Sequence, residues 1–252
     1  MTSRLHDEPP RSDRVRFPSR FLLYRFRPLG RWVISRRFAV RLHGVEHVPD
    51  TGPVIFCANH IGVADGPLLA IFAPRPVHAL TKSEMFRGWL GRFLRATGQI
   101  PLDRFRVDPA AARACLRVLR DGGTVGIFPE GRRGAGDLER FHRGAAYFAL
   151  ATGAPVVPVV FLGTREPGAH SGALPPRRGV VDIVFGPPHP HEKVAWPRTK
   201  EQVERSSMLL RERMLVHLDH AKALTGRELP GPLPPTDVEP DPATGVTEQG
   251  AP

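Results

Sequence analysis

The chain has 252 residues, with 36 Lys and Arg against 25 Asp and Glu, a formal charge of +11, and only two cysteines. Two thiols exclude a disulfide framework, and no Cys or His spacing suits a zinc site, so neither a stapled scaffold nor a bound metal is expected. Length allows one α/β domain with a full core, and charge gathers at the start: residues 1–43 carry 11 Arg against 3 acids, a local +8 that leaves +3 for the remainder.

Residues 1–16 are polar and lack the apolar centre of a secretory leader, so they are expected to be disordered and secretion is not expected. Residues 17–40 interleave Phe21, Tyr24, Phe26, Trp32 and Phe38 with six arginines around Pro28-Leu29-Gly30. This predicts two short basic amphipathic helices, an arm suited to an anionic membrane interface, with aromatic rings at the acyl boundary and guanidinium groups on lipid phosphates. A helical hairpin packed on the domain's own core is the competing reading.

From residue 41 to 224, short apolar runs alternate with helical patterns, which predicts a single α/β domain whose central sheet is mostly parallel or mixed and flanked by helices. Predicted strands are Ala39–Leu42, Val54–Cys57, Val77–Leu80, Gln99–Leu102, Thr124–Phe128, Val156–Phe161 and Val180–Phe185. A helix opens at Asp108-Pro109 and stops at Gly122-Gly123, and the last helix opens at the capping pattern Thr199-Lys200-Glu201-Gln202. Gly144–Thr164 is 21 residues without a formal charge, long enough to cross a bilayer. Gly153, Pro155 and Pro158 instead divide it into a buried helix and a β-branched strand. Residues 225–252 are Pro-rich with few large apolar groups, and disorder is expected.

Three predicted strands end in chemistry. Val54–Ala58 runs into Asn59-His60-Ile61-Gly62-Val63-Ala64-Asp65. Positions five apart on one α-helix point about 140° away from each other, so His60 and Asp65 cooperate only if the chain folds back at Gly62. With His60 in the loop and Asp65 in the first helical turn, the carboxylate can fix the imidazole tautomer while the other ring nitrogen takes a proton from a hydroxyl. A satisfied histidine beside an N-cap aspartate is the plainer alternative. Thr124–Phe128 empties into Pro129-Glu130-Gly131-Arg132-Arg133, where Glu130 could hold an arginine, Gly131 admits a close approach and Arg133 offers a fork of donors to phosphate. The strand before Asp103-Arg104 repeats the pattern. Ligands of open α/β sheets bind outside the carboxyl ends of strands, so these three ends describe a site for a phosphorylated alcohol.

In order, Asn59-His60-x4-Asp65, Gly98-x-Ile100-Pro101-x-Asp103-Arg104, Phe128-Pro129-Glu130-Gly131-x-Arg133 and Val157-Pro158-Val159 resemble the four motifs of the glycerolipid acyltransferases typified by lysophosphatidate acyltransferase. The resemblance runs from about Val40 to Phe185. It implies transfer of an acyl chain from acyl-CoA or acyl carrier protein to the free hydroxyl of a lysophospholipid such as 1-acylglycerol-3-phosphate, giving phosphatidic acid in phospholipid biosynthesis. It further implies His60 as general base with Asp65 orienting it, Arg104, Glu130, Gly131 and Arg133 around the acceptor phosphate, and Asn59, Pro129 and Pro158 in support. No cofactor beyond the thioester is implied, no nucleic-acid partner is expected, and the location implied is peripheral, on the cytoplasmic face of the cell membrane. Arg132 and Gly134 stand where the family usually has Thr and Ser, which leaves the head group open. Another lysolipid or glycolipid acceptor, an inactive membrane-binding protein and a thioester hydrolase remain alternatives.

Overall fold

The computed structural model describes residues 12–19 and 21–237. Its helices are α1 (Phe21–Ser35), α2 (Asp65–Phe72), α3 (Gly88–Ala96), α4 (Pro109–Arg120), α5 (Gly144–Thr152) and α6 (Lys200–Thr225). Its strands are β1 (Ala39–His43), β2 (Val54–Ala58), β3 (Val77–Lys82), β4 (Ile100–Leu102), β5 (Thr124–Ile127), β6 (Val156–Leu162) and β7 (Val180–Phe185). They form one sheet of seven in the order β1-β7-β6-β2-β5-β3-β4. The neighbours β6-β2-β5-β3-β4 pair in parallel, β7 runs antiparallel to β6, and β1 pairs in parallel with β7. The sheet is therefore mixed, with a parallel body and two reversed strands at one edge.

Period-two alternation sorts β2 between two cores. Val54, Phe56 and Ala58 pack with Leu68, Leu69 and Phe72 of α2 and with Val157, Val159 and Phe161 of β6. Ile55 and Cys57 face the other way, onto Cys115, Leu116, Ala145, Ala149, Leu210 and Met214 from α4, α5 and α6. All five residues of β2 are buried, which explains the unbroken apolar run. Both cysteines lie in this interior with their thiol pKa values pushed up, chiefly by burial. Asp108 caps α4 by accepting from Ala110 N and Ala111 N, and Thr199 and Gln202 complete the capping box of α6.

The arm departs from expectation. It is one helix, α1, with Pro28 inside it rather than a break. Contact with α2 overrides the local signal: a Cβ on Gly30 would stand 3.0 Å from Ile71 Cδ1, so α1 lies close against α2 there. Arg27 and Arg31 donate to the carbonyls of Ile71 and Ala73 at the end of α2, an arrangement that satisfies orphan acceptors of a helix terminus. Burial, and then the neighbouring Arg31, lowers the Arg27 pKa to about 10. Leu23 is buried, while Phe21, Tyr24, Phe26, Leu29, Trp32 and Val33 are exposed. Phe26 meets Phe93 of α3 edge-on at 6.4 Å, and α3 adds the exposed Trp89. No helix among the described residues is long and apolar enough to cross a membrane.

Both ends also correct the reading of disorder. Arg120 Nη1 donates to Ser12 Oγ at 2.6 Å and Arg117 Nη1 to Asp13 O at 2.8 Å, so part of 1–16 is ordered against α4. After α6 the chain turns at Gly226, and Arg227 Nε meets Asp182 Oδ2 at 2.8 Å. A 3-10 turn then spans Pro235–Asp237, so the disorder expected from residue 225 does not hold through 237. The rest of that expectation, over residues 1–11 and 238–252, lies outside the described residues.

Candidate active site

The corner after β2 is built around a buried carboxylate. Asp65 is the first residue of α2 and has no exposed surface. Its Oδ2 accepts from His60 Nδ1 at 2.8 Å, from Ile61 N at 2.7 Å and from Gly62 N at 2.8 Å, and Oδ1 accepts from Thr164 Oγ1. The fold-back expected at Gly62 is thus the loop wrapping its own amides round Asp65. A Cβ on Gly62 would lie 3.1 Å from Thr164 O, so the loop passes close to the backbone after β6 there. The His60 side chain is 16% exposed, and its ring stacks on Phe128 at 4.3 Å and 28°. With Nδ1 donating to Asp65, Nε2 is the nitrogen left to serve as a base.

Asn59 fixes the strand end. Wholly buried, it donates from Nδ2 to Phe161 O at 3.2 Å and accepts at Oδ1 from Phe161 N at 2.7 Å. Pro158, opposite Cys57 in β6, is buried in the same ladder and gives its carbonyl to Gly186 N at 2.9 Å.

Glu130 takes a different part from the one expected. Its Oε1 accepts from His60 N at 2.7 Å and its carboxyl also accepts from the backbone of Gly136, so it grips the histidine's backbone where an arginine was expected. Burial pushes this carboxyl well above the usual carboxylate range, and the nearby Asp137 and Asp65 push the same way. His60 is clamped on its other side by Gly134 N, which donates to His60 O at 2.9 Å.

His60, Pro129 and Gly131 lie on the wall of a cavity of about 1000 Å³ at the carboxyl ends of β2, β3, β4 and β5. Much of the lining is apolar: Leu80, Leu102, Ala111, Ile127, Phe128, Tyr147, Phe148 and Val203. Lys82, Arg104, Arg106, Arg113, Arg143 and Lys200 supply cations around it. Arg104 Nη1 donates to Gly131 O at 2.9 Å, and Gly131 has the positive φ of 70° that its tight turn demands. Arg133 stands outside this lining, one residue from the Gly134 clamp, with Nη1 donating to Ser171 O at 3.0 Å. The three strand ends read from the sequence therefore converge, with Arg104 and Gly131 in the wall and Arg133 beside the corner.

Thr164, Arg165 and Ser171 were not anticipated. They follow β6, the parallel neighbour of β2, so the same rule that singled out the ends of β2, β4 and β5 would have reached Thr164 and Arg165 had β6 been placed beside β2.

Residues 39–162 match the Acyltransferase family. The chain is also 30% identical over 185 residues to the 1-acyl-sn-glycerol-3-phosphate acyltransferase of Bacillus subtilis, which covers 72% of this chain and 89% of that protein. It belongs to the glycerolipid acyltransferase family. The like-named protein of Borreliella burgdorferi is 35% identical over 128 residues, 49% of this chain and 51% of that one. The crystal structure of the 1-acyl-sn-glycerophosphate acyltransferase PlsC from Thermotoga maritima superposes with a TM-score of 0.61 at 23% identity, covering 79% and 80% of the two chains. That likeness supports the fold, and family membership makes the chain an acyltransferase. His60, Asp65, Arg104, Glu130 and Arg133 all lie inside the family match, whereas Thr164, Arg165 and Ser171 lie beyond it.

Proposed function

We propose that this acyltransferase moves an acyl chain from the thioester of coenzyme A or acyl carrier protein to the free hydroxyl of a lysophospholipid, with 1-acylglycerol-3-phosphate as the favoured acceptor and phosphatidic acid as product. The observation that carries the reading is the His60 Nδ1 to Asp65 Oδ2 bond of 2.8 Å at the wall of a largely apolar, cation-edged cavity. The acceptor oxygen attacks the thioester carbonyl while His60 Nε2 takes the hydroxyl proton. Asp65 favours the charged ring as it forms, the C–S bond breaks, and the proton passes to the departing thiolate. No protein nucleophile is needed, consistent with Cys57 being buried and its thiol pKa raised. Apolar walls suit acyl chains, and Arg104 and Arg133 suit the acceptor phosphate.

The same reading places the protein peripherally on the cytoplasmic face of an anionic membrane. Exposed Phe21, Tyr24, Trp32 and Trp89 on neighbouring helices α1 and α3, with Arg25 over Phe21 and Arg36 over Trp32, fit an interfacial face. The deciding assay gives purified protein labelled acyl-CoA or acyl carrier protein with a panel of lysolipids and separates products by mass. Labelled phosphatidic acid from wild type and none from His60→Ala is expected. Free fatty acid as the sole labelled product would instead indicate a hydrolase.

A further inference from the structure

Arg165 is the largest fully buried side chain of the described residues, 2% exposed, and it lies just past β6. Its guanidinium is spent on backbone carbonyls. Nε donates to Ile61 O at 2.7 Å, Nη1 to Ala169 O at 3.0 Å, and Nη2 to Gly134 O at 3.0 Å and to Gly231 O at 2.5 Å. Ile61 follows His60 directly, and Gly134 is the residue whose amide clamps His60 O. One rigid fork thus joins the two backbone segments that hold the catalytic histidine to a third, the stretch after α6.

A second line of contacts reaches the corner independently. Ser171 O accepts from Val63 N at 3.0 Å and from Arg133 Nη1 at 3.0 Å. The same serine gives its backbone N–H to Asp237 Oδ2 and its hydroxyl to Asp237 Oδ1 at 3.3 Å. Just before these two anchors, Leu229 approaches Gly136: a Cβ there would stand 3.5 Å from Leu229 Cδ2 and 2.2 Å from Ile61 Cγ2. Residues 229, 231 and 237 thereby meet the loops 60–63, 131–136 and 164–171 from outside. Burial lowers the Arg165 pKa, while the charges of Asp65 and Asp237 raise it. Every one of Arg165, Ser171, Gly231 and Asp237 lies outside the residues that match the family.

We infer that the segment 226–237 is a strap that positions the catalytic corner, Arg165 and Asp237 being its positioning residues, acting on His60 through Ile61 and Gly134 and on Arg133 through Ser171. The physical need is clear: the corner is a loop whose carbonyls have no strand partner on the outer side, and a small misplacement of a base costs about a hundredfold in rate. The kinetic part of the inference rests on the acyl-transfer reading above, and the exchange part does not.

The test compares full-length wild type with Asp237→Ala, Asp237→Glu and Arg165→Lys. Hydrogen exchange read by mass spectrometry should accelerate at least tenfold in peptides spanning 60–66 and 131–136 of Asp237→Ala, with 54–57 and 124–127 unchanged. In the acyl-transfer assay kcat should fall about tenfold to a hundredfold, KM for the acyl donor should stay within twofold, and Asp237→Glu should recover part of the loss. Arg165→Lys, which keeps the charge but not the fork, should lose more than Asp237→Ala. Unchanged exchange at 60–66 in Asp237→Ala overturns the strap, as does a rise spread equally over 54–57 and 124–127, which would mark a merely stabilising contact. A wild type that transfers no acyl group defeats the proposed function, and the exchange result then still decides the strap.

Discussion

Asn59 pairs with Phe161 as if its side chain were one more strand residue, its amide exchanging hydrogen bonds with both backbone groups of Phe161 at 3.2 and 2.7 Å. Strand β2 ends at Ala58, yet Asn59 N still donates to Val159 O at 3.4 Å and its side chain carries the ladder to β6 one step further as the chain turns toward His60. Asn59→Ala leaves a buried N–H and C=O without this partner, at about 1–3 kcal/mol each. A clear fall in Tm together with lost activity is expected by thermal melting and assay. Asn59→Ser, too short to bridge both groups, should recover little.

His60→Ala should abolish acyl transfer and also lower Tm, because the ring is 16% exposed, stacks on Phe128 and donates to the buried Asp65. Asp65→Asn should lower kcat by about 10² to 10⁴. It should lower Tm only modestly, since the amide oxygen can take the place of Oδ2 toward Ile61 N and Gly62 N while the NH2 faces Thr164 Oγ1, a hydroxyl able to accept. Wild-type turnover in His60→Ala would rule out the mechanism.

The arginines separate by position. Arg104 lines the cavity and Arg133 is tethered beside the corner, whereas Arg132 occupies the place of the family's usual threonine. Loss of a charge-assisted phosphate contact costs roughly 2–5 kcal/mol and loss of a rim charge a fraction of that. Arg104→Ala should raise KM for the phosphorylated acceptor at least tenfold, Arg133→Ala by less because Arg133 stands outside the cavity lining, and Arg132→Ala less than threefold. Steady-state kinetics with an equal effect at Arg132 would mean that the head group is gripped differently.

Glu130 carries a pH signature. A carboxyl whose pKa is raised by folding is favoured in its protonated form, so its contribution to stability is present below the unfolded value of about 4.5 and declines as pH rises toward the folded value. Glu130→Gln keeps an acceptor for His60 N and removes the titration. The Tm of Glu130→Gln relative to wild type should therefore increase as pH is raised from about 4.5, and a difference independent of pH would contradict the burial argument.

For the membrane face, Trp32→Ala and Trp89→Ala are cleaner probes than removal of the arm, because Leu23 is buried and α1 is tied to α2 by Arg27 and Arg31. Each should weaken flotation with anionic vesicles, and added salt should weaken it further, since an arginine near an anionic surface contributes about 1 kcal/mol. Unaltered flotation in both variants would assign those rings another partner.

Much of the domain is legible because its signals are local. All seven strands are visible as apolar runs, and the spacing of His60 and Asp65 shows that the two can meet only through a fold-back, which the structure contains. What escaped detection is non-local. Thr164 meets Asp65 across 99 residues and Arg165 meets Ile61 across 104, and no periodicity encodes such partners. Pro28 reads as a break until Arg27, Gly30 and Arg31 are seen against α2. The tail misleads for a related reason: proline-rich chain lacks donors but retains carbonyls, and Arg165 needs only the carbonyl of Gly231.

The reactive corner grows from β2, held between β5 and β6 in the middle of the sheet, whereas β4 is three residues long and forms an edge. The loop after β4 nevertheless supplies Asp103, Arg104, Arg106 and Val107 to the cavity wall. Under the proposed mechanism, reactivity and selectivity are built on different strands. On that reading, changes in the length or side chains of the edge loop suit another acyl chain or head group without touching the His60–Asp65 pair, so the corner serves as the anvil and the edge as an exchangeable gauge.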